Sequence, residues 1–258
     1  MIIQRLTDFI WVGLDSVLNE AHIKQVAGVF YALRTSLEKL RYYYENLKPI
    51  ANPPVPSRYF PSFTAYSNDD KKVVQFEYVG FLEDGLDCTT LHARTCGHSA
   101  RDIVVKFVNQ YGERAHRLLA ENDLAPALFY YGSPCLDKEP SYHSLSMVVM
   151  DYIDGDTLAS AKKNEISNEK ETQIVRSVQR SIKTLHFHGL VFGDLRSRNV
   201  MITKTNEVKL IDFNWAGEEG QAKYPSLISS DIKWAEGVEA LGVIKKVHDL
   251  EMLDRLFH

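Results

Sequence analysis

Cysteine is scarce in this chain. Cys88, Cys96 and Cys135 are three in 258 residues, an odd number without paired metal-ligand spacing. This usage fits a reducing compartment, the cytosol or nucleus, rather than a disulfide framework. An excess of positive charge is also missing: 30 Lys and Arg stand against 34 Asp and Glu, for a net charge of -4. Without a basic field, neither nucleic acid nor an anionic membrane surface is an expected partner. No apolar stretch approaches the length of a membrane span. The opening Met-Ile-Ile-Gln-Arg lacks the long apolar core and small-residue cleavage site of a signal peptide, so export as an effector would need an unrecognised route. The remaining composition is that of an ordinary globular protein able to bury a full core.

From Asp15 to Leu47 apolar residues recur at helical spacing, among them Ile23, Val26, Phe30, Leu33, Leu37 and Leu40, and predict one long helix or two. Pro53, Pro54, Pro56 and Pro61 cannot continue a helix and read as an extended linker. The pattern then turns to strands: a hairpin around 67–70, then 73–82, 90–94 and 102–108. In the last, Lys106 shares a face with Val104 and Val108, and a lysine among valines predicts a cleft-lining ammonium suited to phosphate. A helix beginning at Glu113 follows, then an apolar strand over 146–151 running into an acidic turn. A further helix over 168–188 has Ile174, Val178, Ile182 and Leu185 on one stripe, with Asn168 and Glu171 as a capping-box variant. His186 and His188 lack acidic or cysteine partners at ligand spacing and read as packing or surface residues. A last helix is expected over 243–253.

The segment 199–212 reads as two short strands joined at Thr205 and Asn206. That register sets Lys204 against Glu207, Val200 against Ile211, and Asn199 against Asp212 at the open end. Asp194 sits just upstream in a polar loop that also holds Arg196 and Arg198. A carboxylate and an amide oxygen together suit a hard cation such as Mg²⁺, which takes its other ligands from water and phosphate. A third oxygen-bearing side chain can orient a hydroxyl nucleophile. Taken singly, each of these residues also suits an Asx turn or a strand end.

The strings F-G-D-L-R-S-R-N and D-F-N resemble the catalytic loop and metal-binding motif of the protein-kinase-like superfamily, and V-V-K resembles its strand lysine. The resemblance covers about residues 57 to 258. It implies an α+β fold, bilobal and protein-kinase-like, with a small antiparallel-sheet N-lobe over 63–150 and a reduced, mainly helical C-lobe over 151–258. An N-terminal helical extension (1–52) and a linker (53–62) would precede them. It further implies Asp194 as catalytic base, Lys106 on the α/β-phosphates with Glu113 as its tether, Asn199 and Asp212 as Mg²⁺ ligands, and Arg196 as a cation near the transferred group. Glu113 equally suits its helix N-terminus electrostatically, and Glu121 is a weaker candidate for the tether. Met150 would guard the adenine pocket, whose base would meet the backbone of Asp151, Tyr152 and Ile153. With Y-G-E-R-A-H-R-L-L-A-E-N-D-L-A-P and the tail strings, the chain is similar to a kinase-like family expanded in fungi, also found in Crinkler-type effectors.

Several residues depart from the kinase pattern. Residues 80–96, where a glycine-rich lid belongs, contain only Gly80 and Gly85, and no G-x-G-x-x-G. Phe192 and Gly193 replace the usual His and Arg before Asp194, so no receiver for a phosphorylated activation segment stands there. Asn214 replaces the glycine of D-F-G. The expected activity is transfer of the γ-phosphate of ATP to a hydroxyl of a protein substrate. Two other readings stay open: a pseudokinase or binding module, and a small-molecule kinase of the aminoglycoside or choline phosphotransferase type.

Overall fold

The computed structural model describes residues 20–46, 60–82, 90–97, 99–134, 145–163 and 166–257. The chain divides into two compact units, one ending at Phe60 and one beginning at Pro61. The prolines at 53, 54 and 56, with Cys88 and Cys135, lie outside the described residues.

In the first unit a single helix, α1 (Glu20–Glu45), runs through the predicted helical stretch without a break. Ion pairs at i,i+4 support it: Glu20 with Lys24 (2.7 Å), Arg34 with Glu38 (2.9 Å) and Arg41 with Glu45 (2.8 Å). The residues expected before Glu20 and at Leu47 lie outside the described part.

The second unit is α+β. Its sheet comprises β1 (Ala65–Ser67), β2 (Val73–Phe81), β3 (Thr90–Thr95), β4 (Asp102–Val108), β5 (Leu128–Gly132) and β6 (Ser146–Asp151), with helix α2 (Glu113–Glu121) between β4 and β5. The strand order is β1-β2-β3-β4-β6-β5 and every pair is antiparallel. Strand β5, in Leu-Phe-Tyr-Tyr-Gly, was not legible beforehand. Its run is short and follows Pro126, so periodicity could not separate it from a loop.

The two faces of the sheet do different work. Ile103, Val105, Met147 and Val149 join Tyr66, Phe76 and Ala93 in one apolar cluster. Val104, Val108, Val148 and Met150 face the other way and merge with the core built by the helices. That core is completed by Ile174, Val178, Ile182 and Leu185, the predicted stripe of α4 (Asn168–Phe187). The N-cap of α4 is Ser167, whose Oγ accepts from Lys170 N, rather than the Asn168 capping box expected, because Ser167 adopts the extended backbone a cap requires.

The C-terminal part is less helical than expected. Besides α4 it holds α3 (Leu158–Ala161), α5 (Lys246–Asp254) and five short strands: β7 (Gly155–Thr157), β8 (Leu190–Val191), β9 (Val200–Thr203), β10 (Val208–Leu210) and β11 (Gly217–Glu218). Residues 219–245 are irregular apart from one bridge between Lys223 and Val243. Pro225 and the left-handed backbone at Gly220, Gly237 and Leu241 interrupt any helix there. Helix α5 therefore starts three residues later than expected. Strand β7 can approach β9 only because residue 155 is glycine: a Cβ there would lie 2.2 Å from the Ile202 carbonyl oxygen.

Candidate active site

Strand β4 aims Lys106 into the interior. The residue lies opposite Val148 on one side and Thr90 on the other, and is 8% exposed. An ammonium so placed needs a charged partner. Its Nζ donates to Asp212 Oδ1 at 2.8 Å, tying the sheet to the segment after β10.

Asp212 reaches that position through a sharp bend, its φ of 66° being in the left-handed region that Asp tolerates better than most residues. The hairpin before it is real but its register differs by one from the expectation. Val200 pairs with Leu210 and Ile202 with Val208, so Asn199 stands opposite Ile211, whose N–H donates to the Asn199 carbonyl at 3.0 Å. The turn has three residues rather than two, with Asn206 left-handed (φ 64°) at its third position, the geometry that adds a bulge to a hairpin. Lys204 pairs with Asp154 (2.6 Å) instead of Glu207.

In the loop upstream, Asp194 is almost fully buried. Asn199 Nδ2 donates to its Oδ2 (2.9 Å) and to its carbonyl oxygen (2.8 Å), and Arg196 Nη2 donates to Oδ2 at 2.6 Å. Arg196 Nε also lies 2.6 Å from Oδ1, but out of line, so Oδ1 remains a buried acceptor without a hydrogen bond. Burial pushes the Asp194 carboxyl up to about 6, against the lowering pull of Arg196; the Asp212 charge nearby adds to the rise. Arg196 is held from behind by the Trp234 ring, 5.6 Å from its guanidinium carbon. Asn199 spends both amide hydrogens on Asp194, and among the described residues its Oδ1 has no protein donor.

A metal would find few ligands here. Among the described residues no group of three or more His, Cys, Asp or Glu is arranged to hold an ion. The second Asp212 oxygen and Asn199 Oδ1 form a sparse, all-oxygen donor set. That fits Mg²⁺, which is held through one or two protein oxygens and completes its shell with water and phosphate.

The expected Lys106–Glu113 pair is not formed. Glu113 Oε1 accepts instead from Arg117 Nε at 2.8 Å, an i,i+4 pair along α2 with both side chains more than a third exposed. The helix is anchored to the Asp212 segment by other means. Gly112 N donates to the Phe213 carbonyl (2.8 Å), and a Cβ on Gly112 would lie 2.4 Å from the Ala216 carbonyl oxygen. His116 packs on the Phe213 ring; its Nε2 donates to the Pro126 carbonyl (2.8 Å) and Nδ1 accepts from Tyr111 Oη (2.6 Å).

On the neighbouring strand, Met150 lies in the core one residue before the end of β6. Asp151 N donates to the Ala127 carbonyl (2.9 Å) and Tyr152 N to the Asp102 carbonyl (3.4 Å). Among the described residues Ile153 N–H has no protein acceptor, so of the amides in the expected base-binding backbone that of Ile153 is available.

Residues 136–234 match the protein kinase domain family model. Among curated proteins, the serine/threonine-protein kinase SMU1 of Mycosarcoma maydis is 31% identical over 86 residues, 32% of this chain and 12% of that protein. Serine/threonine-protein kinase PknB of Mycolicibacterium smegmatis is 32% identical over 74 residues, 28% of this chain and 12% of that protein. A probable cAMP-dependent protein kinase catalytic subunit of Encephalitozoon cuniculi is 24% identical over 161 residues, 59% of this chain and 50% of that protein. The chain thus spans between 12% and 50% of the length of these kinases. The likeness is to part of the kinase domain of these proteins.

Sequence reasoning missed Asp249, at 1% exposure on α5. Its Oδ2 accepts from Phe192 N (2.9 Å), its Oδ1 from Gly193 N (2.8 Å), and His186 Nε2 lies 3.0 Å from Oδ2. Gly193 is left-handed (φ 82°) and backs onto Ile244, so the loop before Asp194 turns at a glycine and is clamped by a distant carboxylate. The only prior signal was an acidic residue among apolar ones in a helix.

Proposed function

We propose that this chain transfers the γ-phosphate of ATP to a hydroxyl group of a protein, with the active site between two lobes. The ion pair between Lys106 and Asp212, beside the linked group Asp194–Arg196–Asn199, carries this reading. The acceptor hydroxyl donates to Asp194 Oδ1, which Arg196 uncovers by swinging toward the transferred phosphate, and gives up its proton there as its oxygen bonds to the γ-phosphorus. The bond from that phosphorus to the bridging oxygen breaks and ADP departs. Lys106 leaves Asp212 for the α/β-phosphates, and Arg196 offsets charge growing on the transferred group. Asp212 and Asn199 would hold Mg²⁺, whose charge neutralises the phosphate oxygens. Met150 borders the adenine site, and Ile153 N–H, with the carbonyls of Asp151 to Ile153, takes the base.

We place residues 1–52 as a helical extension, 53–62 as a linker, 63–150 as N-lobe and 151–258 as C-lobe. The cytosol or nucleus is the proposed compartment. The finer kinship, to the fungal family shared with Crinkler-type effectors, rests on the sequence strings alone. The engagement of Glu113 by Arg117 favours one second reading, a kinase fold that binds nucleotide without transferring phosphate.

The deciding experiment follows labelled γ-phosphate into a generic protein acceptor, comparing wild type with Asp212→Ala. Transfer by wild type that the substitution abolishes is expected; transfer that survives it overturns the assignment. Thermal unfolding with ATP and Mg²⁺ separates the second reading: stabilisation of about 2.7 kcal/mol at 100 times Kd without transfer identifies a binder.

A further inference from the structure

Along α1 the apolar residues Ile23, Val26, Phe30, Leu33, Leu37, Leu40 and Tyr44 follow one another at alternating steps of three and four. This is an unbroken a/d pattern over three heptads, a period of 3.5 rather than 3.6. A helix that only covers a globular core has no need of that narrower seam, which matches the period of a supercoiled partner helix. Among the described residues of the seam, Phe30, Leu37 and Leu40 are 59%, 58% and 55% exposed, and Ile23, Leu33 and Tyr44 are exposed as well. Apolar side chains of these kinds each bury roughly 60–120 Å² when covered, at about 25 cal/mol per Å². Seven of them per helix give roughly 400–800 Å² a side, whose upper end reaches the size of a standard specific interface.

We propose that α1 is a dimerisation helix whose partner is α1 of a second copy of this chain, in a parallel two-stranded coiled coil. Leucine at the d positions 33 and 40 is half of the pattern that favours two strands, the other half, a β-branched residue at a, being met by Ile23. The flanking charges choose the orientation. Parallel strands set Arg34 and Arg41, at e, against Val29 and Ser36, at g of the partner, so no like charges meet. Antiparallel strands with the seam overlapped set Arg34 against its own copy. The two arginines are also partly neutralised within their own helix by Glu38 and Glu45. This inference does not depend on the phosphotransfer reading.

Sedimentation equilibrium of the full chain over a wide concentration range tests it. Twice the mass of one chain is expected for wild type and for Ala32→Glu, on the outer face, while Leu33→Glu combined with Leu37→Glu gives one chain. Ser36→Glu, which adds an attraction to Arg41 of the second copy, tightens association about threefold. Monomers at every concentration, a mass of three chains, or a dimer that survives the double substitution overturn the proposal. A monomer whose thermal midpoint falls on double substitution would assign the face to the same chain and overturn it too. Ser36→Glu leaving the association unchanged or weaker overturns the parallel orientation.

Discussion

His116 lies face to face with Phe213, ring centroids 4.5 Å apart and planes 5° apart. The pair joins helix α2 to the residue that follows Asp212, so the position of the helix and that of the acidic loop are set together. Burial lowers the His116 imidazole to about 4, with Arg117 pulling the same way and the Pro126 hydrogen bond opposing. The neutral ring, one nitrogen donating and one accepting, satisfies both neighbours.

Stability should therefore fall in acid. The folded protein keeps His116 neutral down to about pH 4, whereas the unfolded chain protonates it near 6.5. The unfolded state binds more protons between these values, so stability falls as pH is lowered through that window, by up to about 1.4 kcal/mol per unit. His116→Phe keeps the stack and abolishes this contribution, while losing about 1–3 kcal/mol at neutral pH from unpaired Tyr111 and Pro126 groups. Urea denaturation at several pH values measures both.

Glu113 and Lys106 should behave as unrelated residues. Glu113→Gln breaks a half-exposed pair with Arg117, worth about 0–1 kcal/mol, and should change phosphate transfer by less than about threefold. Lys106→Ala leaves Asp212 unpaired and should lower kcat/KM about 10²-fold or more. Steady-state kinetics of the two variants and their combination check this; a large loss in Glu113→Gln would restore Glu113 as the tether.

Arg196 holds Asp194, and the proposed mechanism also sets it against the charge of the transferred group. Arg196→Ala should lower turnover by roughly 10² to 10³, the range for losing one preorganised electrostatic partner. Single-turnover measurements at saturating ATP isolate the effect, and a change below about threefold would remove Arg196 from the mechanism.

Asp249 acts at a distance. Asp249→Asn retains shape but offers only one acceptor oxygen to the amides of Phe192 and Gly193. A loss of about 1.5–3 kcal/mol in stability is expected, together with lower turnover at nearly constant KM for ATP. Thermal unfolding and kinetics on the same preparation give both quantities.

The hairpin illustrates where sequence reasoning stopped. Apolar alternation located both strands, but Thr205-Asn206 admits a two-residue turn as readily as the three-residue turn closed by left-handed Asn206, and that choice moved every cross-strand pair by one. The partner of Glu113 was open for a related reason: its place in the sequence gives no direction, and Arg117, one turn on along the same helix, takes its carboxylate. Asp249 was invisible because its partners are backbone amides 56 and 57 residues away, which no spacing encodes.

By itself the sequence determined the sheet strands around Lys106, the face on which that lysine lies, the buried stripe of α4 and the short motifs holding Asp194, Asn199 and Asp212. Each follows from periodicity or from chemistry within a few residues. Only the tertiary structure decided which charges meet: Lys106 with Asp212, Glu113 with Arg117, Asp249 with the loop before Asp194. Pairing between distant segments depends on backbone direction and burial, and a buried charge takes whichever partner the folded chain brings within reach.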